Sequence, residues 1–178
     1  MKTKLLIGAV VLLAGVVRAE SDTNCPPIGS LGRLACHYGF LEIRLGRDIS
    51  ESKNVKRTGA DGDCATWTYS PSGTNGLASL FDVVFCDTYK GRVETIAASV
   101  KDAKKTAIFF RAVQLAYGDP NVQDSPRFTK EWESPLCHIE LTMSSDGTSC
   151  TLWMTDHAVN DERKQADEDR ARDFAGQF

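Results

Sequence analysis

From Ala103 to Tyr117 the apolar side chains recur at helical spacing. Thr106, Phe109, Phe110, Val113, Ala116 and Tyr117 form one stripe, while Lys104, Lys105, Arg111 and Gln114 lie off it. That pattern predicts an amphipathic helix. Gly118 and Pro120 end it, the first as a left-handed cap and the second as a breaker.

Elsewhere the period falls to two. Phe40 to Leu45 alternates, with Leu41, Ile43 and Leu45 on one side and Glu42 and Arg44 on the other, which predicts a half-buried strand. Residues 46–63 are polar, with Gly59 and Gly62, and read as a loop or a short frayed helix. Leu80 to Val100 reads as a hairpin about Lys90-Gly91. A two-residue loop there sets residues whose numbers sum to 181 opposite each other, so that Phe81, Val83 and Phe85 share a face with Val100, Ala98 and Ile96. Cys64 to Ser70 then adds a third strand. Placing Cys64 opposite Cys86 sets Trp67 against Val83, Tyr69 against Phe81 and Ala65 against Phe85. Apolar pairing and cysteine pairing thus select one register, and Cys64–Cys86 is the expected disulfide. The helix is expected to pack on the Trp67/Phe81/Ile96 face.

A second hairpin follows Trp132, with Cys137 to Met143 before Asp146-Gly147 and Cys150 to Met154 after it. Pairs sum to 293, which sets Ile139, Leu141 and Met143 against Met154, Leu152 and Cys150. Cys137 and Cys150 then stand about 20 Å apart along the ladder and cannot bond to each other. Each is left to pair with Cys25 or Cys36, or to stay free. Residues 157–178 read as a charged helix in which Glu168 precedes Arg172 by four positions. Its apolar stripe is thin: Val159, Ala166, Ala171, Phe174 and Phe178. This is either a solvated helix docked lightly on its own domain or one whose apolar edge, at Phe174 and Phe178, awaits a partner.

The N-terminus adds a destination. Lys2 and Lys4 precede the apolar run Leu5 to Val17, and Val17-Arg18-Ala19 supplies small residues at a peptidase site. The run covers about 20 Å as a helix, short of a hydrocarbon core of about 30 Å. Residues 1–19 are therefore expected to be a cleaved secretory signal, leaving no membrane span in the mature chain. Residues 20–35 form a polar lead-in, residues 36–156 one α+β domain and residues 157–178 the charged helix. All six cysteines (Cys25, Cys36, Cys64, Cys86, Cys137 and Cys150) fall beyond the signal, as a disulfide framework of an exported protein would. Lys2, Lys4 and Arg18 leave with the signal, so 18 basic residues face 24 acidic ones, a balance of −6. Such a surface argues against nucleic acid and anionic lipid as partners.

Catalytic motifs are missing. Ser30, Ser70, Ser79 and Ser144 sit in no GxSxG context, and no HExxH or CxxC occurs. Asp61-Gly62-Asp63 lacks the later ligands of a calcium loop and reads as a turn. His37 and His138 each follow a cysteine, but exported cysteines oxidise, so neither a metal nor a cofactor is expected. On the second hairpin His138, Glu140 and Thr142 point away from the apolar side, near Trp153, Thr151 and Thr155. His138, Glu140 and Trp153 are therefore the candidate binding face. Glu131 and Glu133 flank Trp132, which in a strand puts both carboxylates on one side and a core tryptophan on the other.

The order of a strand ending Ile43-Arg44-Leu45-Gly46-Arg47-Asp48, a meander, a helix ending Leu115-Ala116-Tyr117-Gly118-Asp119-Pro120, then Trp132 and a closing hairpin resembles small exported proteins of Gram-negative bacteria. Some of these are compared with outer-membrane-assembly lipoproteins of the BamE/SmpA type. The chain departs from them in lacking a lipid-attachment cysteine. The resemblance implies an envelope address and an α+β fold, and it carries over no functional residue. The expected architecture is an antiparallel sheet, made of a three-stranded meander and a C-terminal hairpin, with one packed helix and one charged C-terminal helix. The expected function is a non-catalytic periplasmic or secreted binding protein whose partner is an envelope or extracellular protein. The alternatives are a small hydrolase with a dispersed histidine–carboxylate site and an envelope-assembly component docking through the C-terminal helix.

Overall fold

A computed structural model of the chain describes residues 39–70, 81–123 and 126–177. Residues 1–19, expected to be a signal, and Cys25, Cys36, His37 and Phe178 lie outside the described residues. The fold is α+β. A two-stranded sheet pairs β1 (Gly39–Phe40) with β2 (Ile43–Arg44), and a seven-stranded antiparallel sheet carries everything else. Its strands are β3 (Val55–Asp61), β4 (Cys64–Tyr69), β5 (Val83–Tyr89), β6 (Arg92–Val100), β7 (Thr129–Glu133), β8 (Cys137–Met143) and β9 (Cys150–Asp156), in the order β3-β4-β5-β6-β9-β8-β7. Two α-helices complete it, α1 (Ala103–Tyr117) and α2 (His157–Ala175).

The helix bounds follow their caps. Asp102 accepts hydrogen bonds from the backbone N–H groups of Lys104 and Lys105 at 3.0 and 2.9 Å, satisfying donors that the first turn leaves open. Gly118, at φ 82°, closes α1 in a conformation that a side chain would resist. Thr106, Phe109, Val113 and Tyr117 of the expected stripe are buried, together with Ala112. Phe109 meets the edge of Phe81 at 5.1 Å, and Phe81 meets Phe40 at the same distance. The helix and the β1–β2 hairpin therefore cover one face of the sheet, where Cys86, Ile96, Ile139, Leu141, Leu152 and Met154 are fully buried. Trp132 is the core tryptophan of β7, and its indole N–H donates to the Gly118 carbonyl at 3.1 Å.

Four expectations need correction. Phe40 to Leu45 is a miniature hairpin rather than one strand, turning at Leu41 with φ 56°. Gly39 is required there, because a Cβ would sit 2.2 Å from the Ile43 carbonyl oxygen. Residues 46–63 hold a 3₁₀ turn, Ile49–Glu51, and the edge strand β3. With β3 the meander has four strands, and with β7 the C-terminal unit has three.

The third correction concerns register. The turn at Lys90-Gly91 is as expected, and Tyr89 faces Arg92 and Thr88 faces Val93. Beyond that point Asp87 faces Thr95, so Glu94 is an extra residue in β6, a β-bulge. The remaining pairs move by one position: Val84 and Cys86 face Ala98 and Ile96 inside, while Val83 and Phe85 turn to the other side. The fourth concerns the expected Cys64–Cys86 disulfide. Trp67 stands opposite Cys86, and Cys64 stands opposite Tyr89. Three positions along a pleated strand separate opposite faces, so Cys64 and Cys86 lie on different sides of the sheet, and both thiols are free.

The second hairpin keeps the expected register throughout, with Ile139 against Met154, Leu141 against Leu152 and Met143 against Cys150. Cys137 pairs with Asp156 at the far end of that ladder, away from Cys150.

Candidate functional site

The face opposite α1 is ordered in rows by the pairing of β5, β6, β9, β8 and β7. The middle row runs Phe85, Ala97, Trp153, Glu140, Glu131. On one side of it run Asp87, Thr95, Thr155, His138, Glu133; on the other, Val83, Ser99, Thr151, Thr142, Thr129. The structure thus brings His138, Glu140 and Trp153 together on one side of the sheet. Trp153 is 36% exposed, and the rings of Phe85 and Trp153 meet edge to face at 5.5 Å across Ala97.

Hydroxyls and carboxylates surround this aromatic pair. Thr142 Oγ1 donates to Glu140 Oε1 at 2.8 Å, and the hydroxyls of Ser99 and Thr151 are 3.0 Å apart. His138 Nδ1 lies 2.7 Å from Glu133 Oε2, and its Nε2 lies 3.5 Å from Glu131 Oε2. Glu133 Oε1 in turn lies 2.5 Å from His157 Nε2, which also faces the Ser134 carbonyl at 3.1 Å. Both partners of that nitrogen only accept, so it carries the proton. The rim is held by Asn121, whose amide accepts from Glu133 N–H at 2.7 Å and donates to the Glu133 carbonyl at 2.8 Å, closing the outer edge of β7.

At the other end of the face α2 crosses the strands. Glu94, 6% exposed at the bulge, receives Arg163 Nε at 2.7 Å. Glu162 pairs with Lys90 and Arg92. Between α2 and β4 lies a cleft of about 420 Å³ whose lining includes Asp61, Cys64, Asp87, Glu94, Thr95 and Arg163. Thr66 Oγ1 donates to Asp87 Oδ1 at 2.6 Å on its floor. Burial pushes the Cys64 thiol up, away from the thiolate range, with the neighbouring Arg163 opposing.

Phe174, a nominated docking residue, is 64% exposed near the distal end of α2, and Phe178 lies outside the described residues. Arg172 pairs with Glu168 at 3.2 Å, as the spacing predicts. The residues that sequence reasoning missed are Phe85 and Glu94, both hidden by the bulge, and Arg163, whose partner lies 69 positions earlier. Among the described residues no group of three or more His, Cys, Asp or Glu is disposed to hold a metal ion, and no helix is long and apolar enough to cross a membrane. No protein family matches this chain, and no curated protein or solved structure matches it.

Proposed function

We propose that the chain is an exported, non-catalytic binding protein of the bacterial envelope, whose contact surface is the open face of the sheet and whose partner is an envelope or extracellular protein. The observation that carries this reading is the gathering of Trp153, Phe85, Glu140 and His138 on one solvent-facing surface. An exposed tryptophan backed by a half-buried phenylalanine and ringed by hydrogen-bonding groups is a composition that contact surfaces favour. The export address rests on the signal pattern of residues 1–19. A photo-crosslinking residue at Thr151, and separately at Lys104 on α1, tests the surface in the cells that make the protein. Adducts of one defined mass from position 151 and none from position 104 are expected. Labelling from position 104 alone, equal labelling of both, or no adduct at position 151 overturns the reading.

The hydrolase reading has one observation in its favour, the 2.7 Å contact of His138 with Glu133. It is the weaker reading, since His138 has a carboxylate at each ring nitrogen and sits on a sheet face rather than in an enclosed site. General base catalysis needs a ring nitrogen that reaches substrate. Glu133→Gln, assayed against ester and peptide substrates beside the parent chain, separates the two readings.

A further inference from the structure

The three rows from β5 to β7 hold fifteen residues, among them the carboxylates of Asp87, Glu131, Glu133 and Glu140 and no lysine or arginine. Glu131 stands directly opposite Glu140, an arrangement of like charges that weakens a sheet. The next residue in the same row, directly opposite Glu140 on its other side, is the exposed Trp153. Internal compensation is thin. Glu140 has the Thr142 hydroxyl, while Glu131 shares the His138 imidazole with Glu133. Lys130, beside Glu131, belongs to the opposite side of the strand because side chains alternate. Arg163, at the far end, is committed to Glu94 and Asp167. Asn121 bonds the β7 backbone at Glu131 and Glu133, its N–H donating to the Glu131 carbonyl at 3.2 Å and its side-chain amide engaging Glu133.

We infer that this row receives an organic cation, the ammonium or guanidinium group of a basic peptide, held between Glu131 and Glu140 with its apolar stem against Trp153. This rests on the open face being the contact surface. Neighbouring strands lie about 4.8 Å apart, so a cation centred over Glu140 is within reach of Glu131 on one side and of the indole, whose face attracts cations within about 6 Å, on the other. A neutral sugar would stack on Trp153 but leave the carboxylate pair unanswered. A bare metal ion would have no use for the indole.

The test titrates the full chain, labelled with ¹⁵N, with a hexaarginine peptide, a hexaglutamate peptide and cellohexaose, following the Trp153 indole N–H resonance. Hexaarginine alone should move it, with affinity falling steeply as salt rises. The double variant Glu131→Gln, Glu140→Gln should bind about tenfold more weakly while melting above the parent, because the repulsion is gone. Trp153→Leu should lose about threefold. Glu140→Lys supplies the cation from within the chain, and should melt higher and no longer bind the peptide. Binding by the double variant within about twofold of the parent, or binding retained by Glu140→Lys, overturns the inference. Movement by cellohexaose with the peptides silent overturns it too, yet leaves the contact-face reading standing. Silence of all three probes at Trp153 overturns the inference as well, and leaves the contact-face reading to the crosslinking at Thr151.

Discussion

Glu94 and Arg163 meet at 2.7 Å, joining the extra residue of β6 to the second turn of α2. The glutamate side chain is buried and the arginine is about one-third exposed. Arg163→Met should therefore strand a carboxylate with little access to water and cost about 2–3 kcal/mol, below the full buried-pair range because the arginine is partly hydrated. Glu94→Gln should cost less, since an amide tolerates burial better than an unpaired charge. Urea denaturation at neutral pH checks both, and a change under about 0.5 kcal/mol for Arg163→Met would show that α2 is not anchored here.

Trp132 closes the corner between β7 and the end of α1. Trp132→Ala should cost about 3–5 kcal/mol through the cavity it leaves. Trp132→Phe keeps most of the volume but orphans the Gly118 carbonyl, for about 1–2 kcal/mol. Chemical denaturation with near-ultraviolet dichroism measures both, and a loss under about 0.5 kcal/mol for Trp132→Phe would mean that the indole hydrogen bond contributes nothing.

Where a local signal carried the structure, the chain was readable. The second hairpin keeps its register because Ile139, Leu141, Leu152 and Met154 alternate cleanly and nothing interrupts either strand. The helix was legible from its stripe, Gly118 and Pro120. The first hairpin was half legible: its turn is local, but its bulge is not. Glu94 leaves the ladder beside an arginine 69 residues later, and apolar residues at both parities (Phe81, Val83 and Phe85 against Val84 and Cys86) let the wrong face look right. Edge strand β3 went unread because only Val55 of it is even half buried. A strand that buries so little gives no alternation to find. Of the candidate site, His138, Glu140 and Trp153 were legible from alternation, whereas Phe85 and the facing of Glu131 and Glu140 needed the register itself.

In the turn between β8 and β9, Asp146 accepts hydrogen bonds from Ser144 Oγ, Thr148 N–H and Thr148 Oγ1. These hold its carboxyl down at about 2, below the ordinary 3.8. A depressed folded value means that the stabilisation is complete above the ordinary value and is lost as pH falls from about 4 through about 2. Carbon-detected titration of the Asp146 carboxyl should give a midpoint near 2. Asp146→Asn should flatten the decline of stability in that window.

Burial pushes the thiols of Cys86 and Cys150 up to about 12 and raises that of Cys137 as well. In the reduced chain without denaturant, iodoacetamide at pH 8 should modify the half-buried Cys64 well before these three, as read by mass spectrometry of peptides. A peptide map of the oxidised protein should contain neither a Cys64–Cys86 nor a Cys137–Cys150 link. Finding either would refute the strand register that separates them.

The seam between β6 and β9 has a kinetic meaning. On one side of it β3 to β6 follow each other as neighbours, and on the other β7 to β9 do so, whereas the seam joins residues 95–100 to 150–155. Each half can assemble by short loop closures, but their union spans about fifty residues and is the slow, late event that topology imposes. Phe85 belongs to the first half and Trp153 to the second, so their edge-to-face contact comes into being only as the halves dock. A partner reading that platform would recognise only molecules that have finished folding.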